Sequence, residues 1–212
     1  MNELVIAFKN QGKSTLALWL AQSKHKPIIA YDPHEIFVDI KDAEVLRDIE
    51  ELNDRIGDEL DRNTMLVYVP TGEDDEQDFN EFCAALWKPR QCVILIDEAS
   101  YIQTAGHAPR FLKKLLRLNE EKYKVDLIQA SHRVTDVSTL TRSQTWDWYI
   151  GFTADKNDLE IIREKWGDTV ADAVEAIPFE SYQVVHVSAT MRTHEVMTDS
   201  QRWYQPLTAK AA

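Results

Sequence analysis

Two short segments carry residue types suited to phosphate chemistry. The first is Lys9, Asn10, Gln11, Gly12, Lys13, Ser14 and Thr15, which follows the apolar run Leu4–Phe8 and opens an amphipathic stretch. A turn between a strand and a helix offers an anion its backbone N–H groups and the positive end of the helix. Lys13 adds a point charge for the β- and γ-phosphates, and Ser14 adds a hydroxyl for Mg²⁺. The second segment, Cys92 to Glu98, reads as a buried strand ending in the carboxylates Asp97 and Glu98. At the C-terminal edge of a parallel sheet such residues face a ligand. There Asp97 would hold Mg²⁺ through water or the Ser14 hydroxyl, and Glu98 would polarise a water for attack on the γ-phosphate. Together they predict ATP hydrolysis with Mg²⁺. Ala7 departs from the pattern GxxxxGK[ST], which has glycine there, and the change is mild if φ at that position is negative.

These residues need a sheet to hold them. Runs at Leu4–Phe8, Pro27–Tyr31, Met65–Val69, Val93–Ile96, Val125–Ala130 and Trp148–Phe152 read as strands, most of them apolar throughout, as strands covered on both faces are. Between them lie helix patterns at Ser14–Gln22, Ala43–Glu51 (with Asp42 as N-cap), Gln77–Trp87, Arg110–Leu118, Leu159–Trp166 and Val170–Ala176. The alternation predicts an α/β fold with a mostly parallel central sheet flanked by helices. Ser181–Val187 alternates polar and apolar residues and reads as an edge or hairpin strand pairing with His194–Met197. With no linker or repeat in 212 residues, 1–212 reads as one domain in which 178–212 forms a C-terminal β-hairpin and tail.

Composition excludes several classes. At 44% hydrophobic and 28% charged residues the chain has the proportions of a globular domain. Cys83 and Cys92 lack metal-site spacing and are too few for a disulfide framework, which fits a reducing compartment. The longest apolar runs fall far short of the ~20 residues of a membrane helix, and the N-terminus lacks the features of a signal peptide. The net charge of −12 argues against a surface that grips nucleic acid everywhere. Its distribution is uneven: residues 32–81 hold 18 acids and 4 bases, whereas residues 109–124 hold six bases and two acids. The second stretch forms a basic stripe, bearing Lys113 and Lys114, able to contact phosphates or a neighbour's acidic segment.

In order along the chain, the Lys9–Ser14 loop, the segment Ile28 to Glu35 containing Asp32-Pro33-His34, the strand Val93–Glu98, and the stretch from Leu115 to Arg133 ending in Ser131-His132-Arg133 resemble the HerA–FtsK superfamily. They are most similar to its viral branch, the genome-packaging ATPases of tailless viruses with an internal membrane. The resemblance covers roughly residues 1 to 152. It implies a three-layer P-loop NTPase fold of the ASCE, RecA-like type. It also implies a homo-oligomeric ring (hexamer or pentamer) that pumps double-stranded DNA into a preformed capsid, docked on capsid or viral membrane vertex proteins. Such a protein would act in the host cytoplasm and at the packaging vertex of the virion. The family's phosphate-sensing glutamine aligns with His132, with Gln129 three residues earlier as the alternative, and its proline aligns with Val134. An imidazole donates to a phosphate oxygen as an amide does. Rings of this kind complete the site with an arginine from the neighbouring subunit; the candidates are Arg133 and Arg142, then Arg110.

Two other functions stand beside this one: a phage assembly or extrusion ATPase, such as the zonular occludens toxin family, and a nucleotide-regulated binding module without motor activity. The aromatic residues Trp146, Trp148, Tyr149 and Phe152 have strand spacing and read as core packing before they read as a base-stacking surface.

Overall fold

The computed structural model describes residues 1–57, 59–72, 75–86, 91–118, 125–179, 181–189 and 194–197. Its strands are β1 (Asn2–Ile6), β2 (Ile28–Tyr31), β3 (Ala43–Leu46), β4 (Met65–Tyr68), β5 (Val93–Ile96), β6 (Asp126–Ser131), β7 (Asp147–Ile150), β8 (Val184–Ser188) and β9 (His194–Met197). Its helices are α1 (Lys13–Ser23), α2 (Ile49–Gly57), α3 (Asp75–Ala85), α4 (Arg110–Leu118), α5 (Thr139–Gln144), α6 (Lys156–Trp166) and α7 (Asp168–Glu175), with a 3₁₀ turn at Ala99–Tyr101. All nine strands join one sheet in the order β3-β4-β2-β5-β6-β1-β7-β8-β9. Pairing is parallel from β3 through β7 and antiparallel at β7–β8 and β8–β9. The expected hairpin is thus the far edge of the main sheet.

Period-two alternation sorts the strand residues into the layers. Val5, Ile28, Ala30, Val67, Leu95, Ile128 and Ala130 pack with α1 on one face. On the other face Ile29, Leu66, Ile94 and Leu127 pack with α2, α3 and α4, and Leu4, Ile6, Trp148 and Ile150 pack with α6 and α7. This is the expected three-layer α/β architecture.

Several boundaries differ from the sequence reading. The predicted helix Ala43–Glu51 is instead strand β3, and helix α2 starts only at Ile49. Ala43 and Val45 pack on the α1 face while Leu46 packs on the opposite one, so burial there has strand periodicity despite helix-compatible charges. Asp42 is left-handed (φ 65°) and caps nothing helical. Asp48 caps α2 instead, its Oδ1 accepting from the Glu50 and Glu51 N–H groups at 2.6 and 3.3 Å. Strand β1 begins two residues earlier than Leu4 and stops at Ile6, which leaves Ala7 and Phe8 to the following loop. Likewise β7 ends at Ile150 rather than at Phe152. Helix α5 has no counterpart in the sequence reading. It depends on Ser138, whose hydroxyl accepts from Thr141 N–H. Trp87, Lys122 and Lys124 lie outside the described residues.

Candidate active site

The start of the loop between β1 and α1 is held from both sides, by the last residue of β6 and by the residue that follows β7. Ala7 N–H donates to the Ser131 carbonyl at 3.2 Å, and Gly151 N–H donates to the Ile6 carbonyl at 2.7 Å. Asn10 (φ 68°) and Gly12 (φ 72°) take left-handed conformations that turn the chain into α1. Gln11 closes the loop on itself: its N–H donates to the Phe8 carbonyl, and its side-chain Oε1 accepts from Phe8 N–H at 3.1 Å. Ala7 does not share the positive φ of these positions, so glycine is not needed there. Room for its methyl comes from the next strand, because a Cβ on Gly151 would lie 3.0 Å from Ala7 Cβ and 3.2 Å from Gln11 Oε1.

Phosphate suits this loop. The N-cap of α1 is Gly12, which offers no side-chain cap, so the first N–H groups of the helix can meet an anion. Among the described residues Gln11 Nε2 is buried without a partner, a donor in need of an acceptor. Lys13 begins α1 and Ser14 is half-buried beside it; Lys9 and Asn10 are exposed, and Thr15 is half-buried.

Alternation along β5 places Asp97 on the α1 face. There its Oδ1 accepts from the Ser14 hydroxyl at 2.8 Å. A hydroxyl and a carboxylate facing each other are the hard oxygen donors that Mg²⁺ selects, so these two residues fit the ion. Burial raises the pKa of Asp97. At the next residue the backbone turns left-handed (φ 54°), an uncommon state for a non-glycine residue, and swings Glu98 back over the loop. Glu98 Oε2 then lies 2.6 Å from Lys13 Nζ and 2.9 Å from His132 Nε2, and Ser100 donates its hydroxyl to Oε1. Burial works against the Glu98 charge, but hydrogen bonds from His132, Lys13 and Ser100 outweigh it and hold the pKa at about 2. Glu98 is therefore a carboxylate at any neutral pH.

The two phosphate-sensor candidates separate cleanly. His132 leaves β6 at the site, between Glu98 and the Ala7 carbonyl. Gln129 points to the face opposite α1, where its Oε1 accepts from Gln103 Nε2 at 2.9 Å. Gln103 in turn accepts from Ser138 N–H and the Thr141 hydroxyl, within a buried network that ties the loop after Glu98 to α5.

The arginines separate as well. Arg133 is engaged within its own chain by Asp155 at 2.7 Å and Asp158 at 3.4 Å, at the start of α6. Arg142 donates to Thr139 on its own helix at 3.1 Å, while its buried Nε has no partner among the described residues. Arg110 is exposed at the start of α4, 6.0 Å from the Phe111 ring.

Sequence reasoning missed three groups. Ser100 reaches Glu98 only because of the left-handed turn. Gly151 matters only through its approach to Ala7. The Asp32 side chain, quoted only as part of a motif, accepts from the Ile36 and Phe37 N–H groups at 2.9 and 2.7 Å and fixes the loop after β2.

The aromatic cluster divides. Trp148 is buried in the core 6.0 Å from Trp166, and Tyr149 stacks on His186 at 4.4 Å. Trp146 is exposed, and Phe152, half-buried at the edge of the core, lies between Phe8 and Phe179.

The sheet order, the glycine-lysine-serine loop entering α1 and the acidic pair ending β5 define the P-loop NTPase fold. No family model matches the chain, and neither does any curated protein sequence. Among solved structures, it is similar to the genome packaging NTPase B204 from Sulfolobus turreted icosahedral virus 2. The form in complex with AMPPCP gives a TM-score of 0.75 at 18% identity, over 94% of this chain and 97% of that one. The form in complex with sulfate gives 0.76 at 16% identity over the same shares. VirB4 of Thermoanaerobacter pseudethanolicus matches with a TM-score of 0.61 at 12% identity, over 94% of this chain and 89% of that one. At these identities the likeness establishes a shared fold.

Proposed function

We propose that this chain is a single-domain P-loop ATPase of the HerA–FtsK superfamily that packages a viral genome. In this reading it acts as a homo-oligomeric ring (hexamer or pentamer), moving double-stranded DNA into a preformed capsid. It works in the host cytoplasm and at the virion's packaging vertex, docked on capsid or membrane vertex proteins. The observation that carries the reading is the meeting of Lys13 with Glu98 and of Ser14 with Asp97, across sequence separations of 85 and 83 residues. The shared fold of a genome packaging NTPase supports the cargo.

The residues have distinct tasks. The N–H groups of Lys9 to Thr15 and the Lys13 ammonium bind the phosphates. Ser14 and Asp97 hold Mg²⁺, which supplies charge neutralisation of the phosphates when bound. An entering triphosphate offers Lys13 a second anionic partner, which frees Glu98 to accept a proton from the attacking water. His132 lies where it can donate to the γ-phosphate once Glu98 turns toward that water. For the arginine acting in trans, Arg142 and Arg110 are favoured over Arg133, whose guanidinium already binds two aspartates.

Lys13→Ala should abolish ATP turnover, and Glu98→Gln should retain ATP binding while losing hydrolysis, both measured by phosphate release and nucleotide titration. Unchanged turnover in both variants would sink the assignment. Stimulation of turnover by double-stranded DNA separates a motor from a nucleotide-regulated module, which would show no response.

A further inference from the structure

We propose that Phe179, backed by Phe152 and Phe8, binds the nucleobase of the triphosphate by stacking. The proposal rests on the nucleotide-site reading above and adds the part of that site which grips the nucleoside. The argument begins with sidedness. Asp97, Glu98 and His132 follow β5 and β6, which lie on one side of β1 in the sheet. A triphosphate whose γ end faces Glu98 must run its nucleoside across the β1 loop toward the opposite side. That side belongs to β7, and Phe152 follows β7 directly.

Three phenylalanines line up there. Phe8 belongs to the phosphate loop itself, and its ring lies 6.3 Å from that of Phe152. Phe179 then meets Phe152 edge-to-face, with centroids 5.6 Å apart at 70°. Phe152 is half-buried against the core formed with α6 and α7, so it is a firm support. Phe179 is 66% exposed, the most exposed of the large hydrophobic side chains among the described residues. A ring so exposed has room for a second aromatic system beside it. Stacking suits these groups chemically, because a phenyl ring has no donor or acceptor with which to read the edge of a base. The base would therefore be held by its face, and the phosphates by the loop.

The two grips can be tested apart. The probes are AMPPCP, which carries a base, and inorganic tripolyphosphate, which does not; both are titrated into the full chain with Mg²⁺ by calorimetry. Phe179→Ala should raise the Kd for AMPPCP about tenfold. Its Kd for tripolyphosphate should stay at the wild-type value, and Phe179→Trp should bind AMPPCP at least as tightly as wild type. Because Phe179 is exposed, its truncation leaves the core intact. A change in AMPPCP affinity below about twofold overturns the proposal. So does an equal loss for both probes, since the ring would then support the loop and not the base. If wild-type protein binds neither probe, or Lys13→Ala binds both unchanged, the nucleotide-site reading itself falls and takes this one with it.

Discussion

The two ends of strands β1, β6 and β7 each hold a cluster of buried charge, and the clusters are built differently. At the N-terminal end, Glu3 pairs with Lys24, and Asp126 takes both Lys26 and the Met1 amine at 2.7 Å. Asp147 faces His186 at 3.2 Å. Lys24 is the C-cap of α1, where the helix dipole favours a cation, and Lys26 follows two residues later. The cations there come from separate places: Lys24 and Lys26 just past α1, the Met1 amine, and His186 on β8, which also meets Glu195. At the C-terminal end, Lys13 and His132 both converge on one oxygen, Glu98 Oε2. The segments that carry this cluster include the left-handed residues Asn10, Gly12 and Glu98. The same interaction thus serves two ends: separate partners hold the fold together, whereas shared partners can be exchanged when a new anion arrives.

The widest test of this contrast sets Lys13→Ala against Lys24→Ala. The first should abolish turnover. The second leaves Glu3, 1% exposed, without its cation, and should cost roughly 3 kcal/mol of stability in denaturant titration while nucleotide affinity stays unchanged. A loss of nucleotide affinity in Lys24→Ala would mean the two ends are not independent. Next in size is Gly151→Ala, which drives a methyl against Ala7 and the Gln11 side chain. Overpacking of this kind costs about 1–3 kcal/mol, and it should weaken AMPPCP binding more than it lowers Tm, because the displaced atoms belong to the loop.

The smallest effect belongs to His186, whose ring nitrogens lie 2.9 Å from Glu195 and 3.2 Å from Asp147. Burial opposes its charge, but hydrogen bonds to Asp147 and Glu195 prevail and raise the pKa above 6.5. Stability from a raised histidine is complete below 6.5 and is lost as pH climbs through the folded value. The stability difference between wild type and His186→Gln should therefore be greatest in mild acid, by on the order of 1 kcal/mol, and smallest at alkaline pH. A pH-independent difference would show that the pair is not charged.

Much of the site was legible because its chemistry is local. Gly12-Lys13-Ser14 announces itself by residue type, and Val93 to Glu98 by an apolar run that ends in acids. The strand Ala43–Leu46 was not legible, since four residues among scattered charges fit either period until β4 supplies the partner. Helix α5 escaped for a related reason: only six residues long, it is anchored by Gln103 from a distant loop. Gln129 and His132 are three positions apart on one strand and its continuation, and the sequence offered both as sensor. Strand alternation and the Gln103 amide remove Gln129 from the site.

By itself the sequence determined the layered α/β fold and singled out the glycine-lysine-serine loop and the acidic pair, because apolar periodicity and side-chain chemistry are properties of neighbouring residues. Only the tertiary structure decided which groups share an atom: the Glu98 turn that brings Lys13 and His132 together, the glycine that makes room for Ala7, and the phenylalanine row beside the loop. Those depend on strands brought side by side from distant parts of the chain, and no local pattern encodes the distance between them.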